Sequence, residues 1–206
     1  MDKTVIAISG LPGSGSTTTA KMLAEKLNIK FFSIGQLYKD VALGTIRQQK
    51  YFSLFKAILE KKGIVLPALS AENDSHAAAN FWQTEIGKSK NLHEVLDELQ
   101  ISLAQNCSVV LDGKLSLIKI KNANLKIWLT ASLQERAKRT SKRDNIPIEE
   151  SLELVKKRQE TEREEWKKIY NMDYFEQEKI ADLRADTTNL SPEEVVKIIL
   201  DQLNKD

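Results

Sequence analysis

Residues 4–9, Thr-Val-Ile-Ala-Ile-Ser, make a short apolar run rich in β-branched side chains, and the segment directly after it constrains the fold more than any other feature. Gly10-Leu11-Pro12-Gly13-Ser14-Gly15-Ser16-Thr17 is a glycine-rich loop, and residues 18–27 then carry Met22, Leu23 and Leu27 at helical spacing. An apolar run without alternation suits a strand buried on both faces of a parallel sheet. Glycines let the backbone turn tightly and come close to a ligand. Successive N–H groups, together with the positive end of the next helix, then form a cradle for an anion.

The rest of the chain repeats the alternation. Strands are predicted over 30–34, 108–111, 125–129 and, more weakly, 181–185. Helices are predicted over 34–48 and 51–61 with a break near Gly44, and over 91–104, 133–143 and 148–170. Ser191-Pro192-Glu193-Glu194 opens a last helix, with Ser191 as N-cap, proline at the first position and acids in the first turn. Residues 63–90 are the least regular stretch. Strands alternating with helices imply an α/β fold in three layers, with a five-stranded parallel sheet covered on both faces. Ligands of such sheets bind beyond the carboxyl ends of the strands, where the glycine loop lies.

A length of 206 residues fits one domain, and a formal net charge of +2 gives no strong field for nucleic acid or a membrane surface. A phosphate ligand must then be held by locally placed cations. The single cysteine, Cys107, rules out an internal disulfide, and no basic-then-apolar leader or long apolar run is visible. The expectation is a cytoplasmic protein, monomer or homodimer. His76 and His93 are not spaced as metal ligands, and solvated roles are expected for both. Trp128 is expected in the core and Trp166 against the long charged helix, which leaves Trp82 as the tryptophan open to stacking on a base.

Gly10, Pro12, Gly13, Ser14, Gly15, Ser16, Thr17 and Thr18 are the candidate phosphate-binding residues. The phosphate-loop pattern is G-x-x-x-x-G-K-[ST], and Ser16 stands where lysine is expected. A serine hydroxyl donates to phosphate but does not neutralise it, so a loop that holds nucleotide without turnover is an alternative reading. Thr17 takes the place where a hydroxyl meets Mg²⁺, and Asp112, closing the strand 108–111, is placed for the same ion; a turn-forming aspartate before Gly113 is the plainer reading. Arg136, Arg139 and Arg143 share one helix face and suit bidentate clamping of phosphoryl oxygens. A solvated charged face explains the same spacing. Lys114 is within reach of the strand end for a phosphate.

Several stretches together resemble the archaeal type of cytidylate kinase: I-S-G-L-P-G-S-G-S-T-T-T-A-K-M-L-A-E-K-L, F-S-I-G-Q-L-Y-K, V-V-L-D-G-K-L, L-K-I-W-L-T-A-S-L-Q-E-R-A-K-R-T-S-K-R, R-Q-E-T-E-R-E-E-W-K-K-I-Y-N-M-D and D-T-T-N-L-S-P-E-E-V-V. They cover residues 3–47 and 108–197. The resemblance implies a nucleoside monophosphate kinase-like P-loop fold, with approximately 45–106 as the acceptor-binding helical region and approximately 132–170 as lid helices. It implies transfer of the ATP γ-phosphoryl group to CMP or dCMP with Mg²⁺. Arg139 and Arg143 would contact the transferring phosphates, with Arg136 in support, and Arg158 would lie near the acceptor. The chain departs from the pattern at Lys39 and Lys114, where the family favours arginine, and at Glu164-Glu165, where it has a basic pair. Asp97 and Glu98 fall where the family has arginines. A different nucleotide or small-molecule acceptor, or a non-catalytic nucleotide-binding role, therefore stands as the alternative.

Overall fold

The computed structural model describes residues 3–66 and 84–204, which divide into two compact units: residues 1–32 with 107–206, and residues 33–106. In the first unit β1 (Val5–Gly10) is the middle strand of a five-stranded sheet, with β2 (Lys30–Ser33), β3 (Val109–Asp112), β4 (Leu125–Thr130) and β5 (Leu183–Asp186) in the order β2-β3-β1-β4-β5. β1 runs parallel to β3 and to β4, and β4 parallel to β5. The expected three-layer α/β arrangement is therefore present. The chain leaves β1 toward β3 and β2 and reaches β4 on the other side. This makes the carboxyl end of β1 the switch point where ligands of such sheets bind.

All six residues of β1 are buried, which explains why its sequence shows no alternation. On one face Ile6, Ile8, Val110, Ile127 and Leu129 pack with Ala20 and Leu23 of α1 (Ser16–Leu27) and with Val195 and Ile199 of the C-terminal helix, Pro192–Leu203. Each Val, Ile or Leu side chain among them contributes about 1.5–3 kcal/mol when fully buried. The C-terminal helix starts as its sequence predicts, with a complete capping box between Ser191 and Glu194. Trp128 is in the core, and Trp166 is buried on the helix Ile148–Tyr170, its ring stacked with that of Tyr170. Two short elements had no periodic signal: the turn of helix Ser116–Lys119 and the 3-10 segment Tyr174–Ile180.

The second unit is helical. α2 (Ile34–Ala42) ends before Gly44, whose φ of 70° breaks the helix where expected, and a 3-10 turn Thr45–Gln48 comes next. α3 (Phe52–Lys61) packs with α5 (Lys90–Asn106), which is preceded by the short α4 (Glu85–Lys88). One expectation fails here. His93 is 2% exposed, not solvated. It lies on the stripe of α5 that buries Leu92, Leu96 and Leu99, with its ring parallel to that of Tyr38 at 6.2 Å. Burial pushes its pKa down to about 4, against the nearby Asp97 carboxylate and a hydrogen bond to the Gly87 backbone. His76 and Trp82 lie outside the described residues.

Candidate active site

The glycine loop joins β1 to α1, and its glycines answer to different demands. A Cβ on Gly10 would sit 2.3 Å from the Leu129 carbonyl oxygen, so only glycine lets β1 pass β4 here. Gly13 (φ 81°) and Gly15 (φ 92°) occupy the left-handed region. Gly15 is also the N-cap of α1 and offers no side-chain acceptor to the first turn. Two loop amides are engaged, Leu11 N–H on the Leu129 carbonyl and Ser14 N–H on the Leu11 carbonyl. Among the described residues, the N–H groups of Gly13, Gly15, Ser16, Thr17 and Thr18 have no backbone acceptor. Converging unpaired donors at a helix N-terminus form an anion site.

Register brings an acid to this loop. β3 pairs with β1 so that Asp112 lies beside Ile8, two residues before Gly10. Thr17 Oγ1 donates to Asp112 Oδ2 at 2.6 Å, and Asp112 is 6% exposed. A hydroxyl and a carboxylate held together are hard oxygen donors that fit Mg²⁺, which takes one or two protein ligands and completes its shell with water and phosphate. No cluster of three or more His, Cys, Asp or Glu suited to a metal exists among the described residues.

The helix Leu133–Asp144 brings its arginines to different ends. Arg136 is 5% exposed and donates from Nε to the Ala131 carbonyl (3.1 Å) and from Nη1 to the Pro12 carbonyl (3.2 Å). Arg139 donates to the carbonyls of Ser14 and Thr187, to Thr187 Oγ1, and to Glu135. Thr187 Oγ1 lies within donor distance of both the Ser14 carbonyl (2.9 Å) and the Thr130 carbonyl (3.0 Å), its one proton shared between them, and ties the loop after β5 to the glycine loop. Arg143 is exposed and pairs with its neighbour Asp144 at 2.6 Å. An exposed pair of this kind contributes about 0–1 kcal/mol, so it holds the guanidinium only weakly.

A second charged cluster adjoins the loop. Lys114 Nζ donates to the Gly10 carbonyl (2.9 Å), lies 3.1 Å from Glu162 Oε2, and sits 5.2 Å from the centre of the Tyr174 ring. Its backbone carbonyl accepts from Ser9 Oγ and from Gln177 Nε2. Arg158 Nε donates to the other oxygen of Glu162 at 2.7 Å. Burial alone would raise the Glu162 pKa, but Lys114 and Arg158 reverse this and hold it below the usual carboxylate range. Burial lowers the Lys114 pKa, and Glu162 opposes the shift.

The structure thus gathers Gly10–Thr18, Asp112, Lys114, Arg136, Arg139 and Arg158 in one unit. Lys39 lies on the exposed side of α2 in the other unit. Sequence reasoning missed Glu162, Thr187 and Tyr174. Glu162 was findable four residues after Arg158 on one helix face, and Thr187 in the D-T-T-N loop that closes the last strand.

The model of the cytidylate kinase-like family matches residues 5–189. The chain is 32% identical to a cytidylate kinase of Methanocaldococcus jannaschii over 98% of this chain and 99% of the relative. It is 32% identical to one of Methanobrevibacter smithii (97% and 98%) and 31% identical to one of Thermococcus kodakarensis (95% and 85%). An uncharacterized protein from Eubacterium ventriosum shares the fold with a TM-score of 0.61 at 15% identity, covering 99% of this chain and all of the other. Shikimate kinase from Acinetobacter baumannii shares it with a TM-score of 0.53 at 16% identity, covering 98% and 94%. Among the described residues no helix is long and apolar enough to cross a membrane. With a matching family model across most of its length and full-length relatives at this identity, the chain belongs to the cytidylate kinase-like family.

Proposed function

We propose that this protein transfers the γ-phosphoryl group of ATP to a nucleoside monophosphate, CMP or dCMP in first place. The observation that carries the reading is the 2.6 Å bond between Thr17 and Asp112 beside the N–H groups of Gly13 and of Gly15 to Thr18, which have no backbone acceptor among the described residues. The loop amides bind the donor's phosphates, and Thr17 and Asp112 would hold Mg²⁺, which would supply positive charge against the phosphoryl oxygens. An acceptor phosphate oxygen attacks the γ-phosphorus, the bond to the β-phosphate oxygen breaks, and ADP leaves. A nucleoside monophosphate is largely ionised at neutral pH, its second pKa being about 6, so its attack needs no general base. Arg139 and Arg143 meet the transferring group, with Arg136 in support, while Lys114 and Arg158 serve the acceptor phosphate. Lys39 joins them by its correspondence to a family arginine. Catalysis is positioning and electrostatics.

A different acceptor on the same scaffold is the second reading. It is favoured by Asp97 and Glu98, which are engaged as acids within their own unit: Asp97 accepts from Gln100 (3.0 Å), and Glu98 pairs with Lys61 (2.7 Å). The deciding experiment measures ADP formed from ATP and Mg²⁺ with CMP, dCMP, UMP, AMP and GMP offered separately. A dominant response to CMP or dCMP is expected. Silence across the panel with ATP binding intact overturns the monophosphate reading.

A further inference from the structure

Ser16 leaves the glycine loop without the cation that such loops normally carry, yet three cations reach the loop from behind, each on a carbonyl: Lys114 on Gly10, Arg136 on Pro12 and Arg139 on Ser14. They differ in what else they meet. Lys114 is offset by Glu162 and Arg139 by Glu135. Arg136 has no carboxylate within 4.0 Å among the described residues, although it is 5% exposed. Burial lowers its pKa, but an arginine starts so far above neutrality that it stays charged. A buried charge without a counter-charge costs several kcal/mol, so its retention calls for an anion nearby.

We infer that Arg136 is the loop's missing cation, acting on the donor phosphates through the Pro12–Gly13 peptide rather than by touching them. The Pro12 carbonyl and the Gly13 N–H belong to one peptide unit. A guanidinium on the oxygen draws electron density from that unit and makes the N–H a stronger donor. The Gly13 N–H has no backbone acceptor in the fold, so a phosphate is free to take it. Arg136 backs directly on this glycine: a Cβ there would lie 3.0 Å from the Arg136 Cβ. The net positive charge also has no carboxylate to absorb it before it reaches the cradle. Arg136 is thus a positioning residue for donor binding, standing in for the lysine that Ser16 replaces.

This rests on the reading that the loop holds the donor's phosphates, and the test separates the two. Calorimetric titration with MgATP and with inorganic tripolyphosphate is run on the wild type, Arg136→Gln, Arg136→Lys, Ser16→Lys and the double variant Ser16→Lys/Arg136→Gln, with melting temperatures recorded. Arg136→Gln keeps a donor for the Pro12 carbonyl and drops the charge; it is expected to weaken both ligands about tenfold or more, a loss of about 1.4 kcal/mol per tenfold. Arg136→Lys stays within about threefold of the wild type, and a lysine at position 16 restores the double variant to that level. Ser16→Lys alone gains less than about threefold, because the loop's charge is already supplied. A merely structural arginine predicts no rescue by a distant lysine, and that result overturns the inference. So does unchanged binding by a folded Arg136→Gln. If Arg136→Gln does not fold, Ser16→Lys alone decides: a gain of about tenfold or more shows that the loop lacked charge, and overturns it. A wild type that binds neither ligand overturns the donor reading and this inference together.

Discussion

Both units of this molecule bury ionisable side chains, but they settle them differently. In the unit of residues 1–32 and 107–206, Asp112, Lys114, Arg136 and Arg139 converge on one loop, and their bonds run to its carbonyls and to Thr17. In the unit of residues 33–106 the buried acids Asp97 and Asp40 accept from side-chain amides and a hydroxyl. Asp97 accepts from Gln100, Asp40 accepts from Gln36 Nε2 (3.0 Å) and Thr45 Oγ1 (3.4 Å), and His93 is held neutral beneath Tyr38. Desolvated charge gathered around unspent amides regains its cost when a ligand arrives. Charge spread through a helical interior and bonded to amides and hydroxyls fixes side-chain positions instead. Changes near the loop are therefore expected to alter binding and turnover at constant stability, and changes in the other unit the reverse.

Asp112→Asn gives that comparison its hardest trial. Asparagine still accepts from Thr17, so the 2.6 Å contact and the fold survive. On the proposed function the charge that Asp112 would offer to Mg²⁺ is lost, and kcat is expected to fall about 10³-fold, roughly 4 kcal/mol, in a steady-state assay, with unfolding free energy within about 1 kcal/mol of the wild type. A loss of stability without a loss of rate would make Asp112 a structural turn residue and dissolve the contrast.

What was legible in the sequence divides along the same line. The loop could be read because its chemistry is local. The left-handed positions fall on Gly13 and Gly15, and β1 shows its burial in six consecutive residues. That Asp112 closes a buried strand beside the loop was legible from its place at the end of an apolar run. The targets of the arginines could not be read. Helical spacing puts Arg136, Arg139 and Arg143 on one face but names no partner, and Arg136 meets Pro12 across 124 residues of chain. The clamp read from that face turned out to hold loop carbonyls with two arginines and a surface aspartate with the third. His93 was misread because a polar residue on an otherwise apolar stripe looks solvated until the partners of its ring, Tyr38 and Gly87, are known.

The second trial uses that histidine. Its pKa in the fold is about 4, against an ordinary value of 6.5. The unfolded chain therefore takes up a proton between these values while the native state does not. Stability from this group is whole above pH 6.5, falls as pH drops toward 4, and changes no further below it. The full loss is about 3 kcal/mol. Denaturant unfolding measured across this range should show the loss in the wild type and a flatter profile in His93→Gln, with ATP affinity unchanged. Parallel profiles would mean that His93 takes up its proton at the same pH in the native state as in the unfolded chain, and below that pH the second unit would hold a buried charge of the kind assigned to the loop.

The smallest effect is expected at Asp40, and it probes the comparison where it is weakest. Asp40 is buried, no cation lies within 4.0 Å of it among the described residues, and its Oδ2 has no hydrogen-bond partner among them. If this unit's polar interior serves the fold alone, the charge on Asp40 is a burden. Asp40→Asn keeps an acceptor for Gln36 and Thr45 and removes that charge, so stability should hold or rise by up to about 1 kcal/mol, read by thermal unfolding, with turnover unchanged. A variant that folds as well as the wild type but loses its response to the acceptor would show that Asp40 is kept for a ligand. The contrast between the units would then become one of sign, a positive cradle for phosphate in one and an acidic acceptor group in the other.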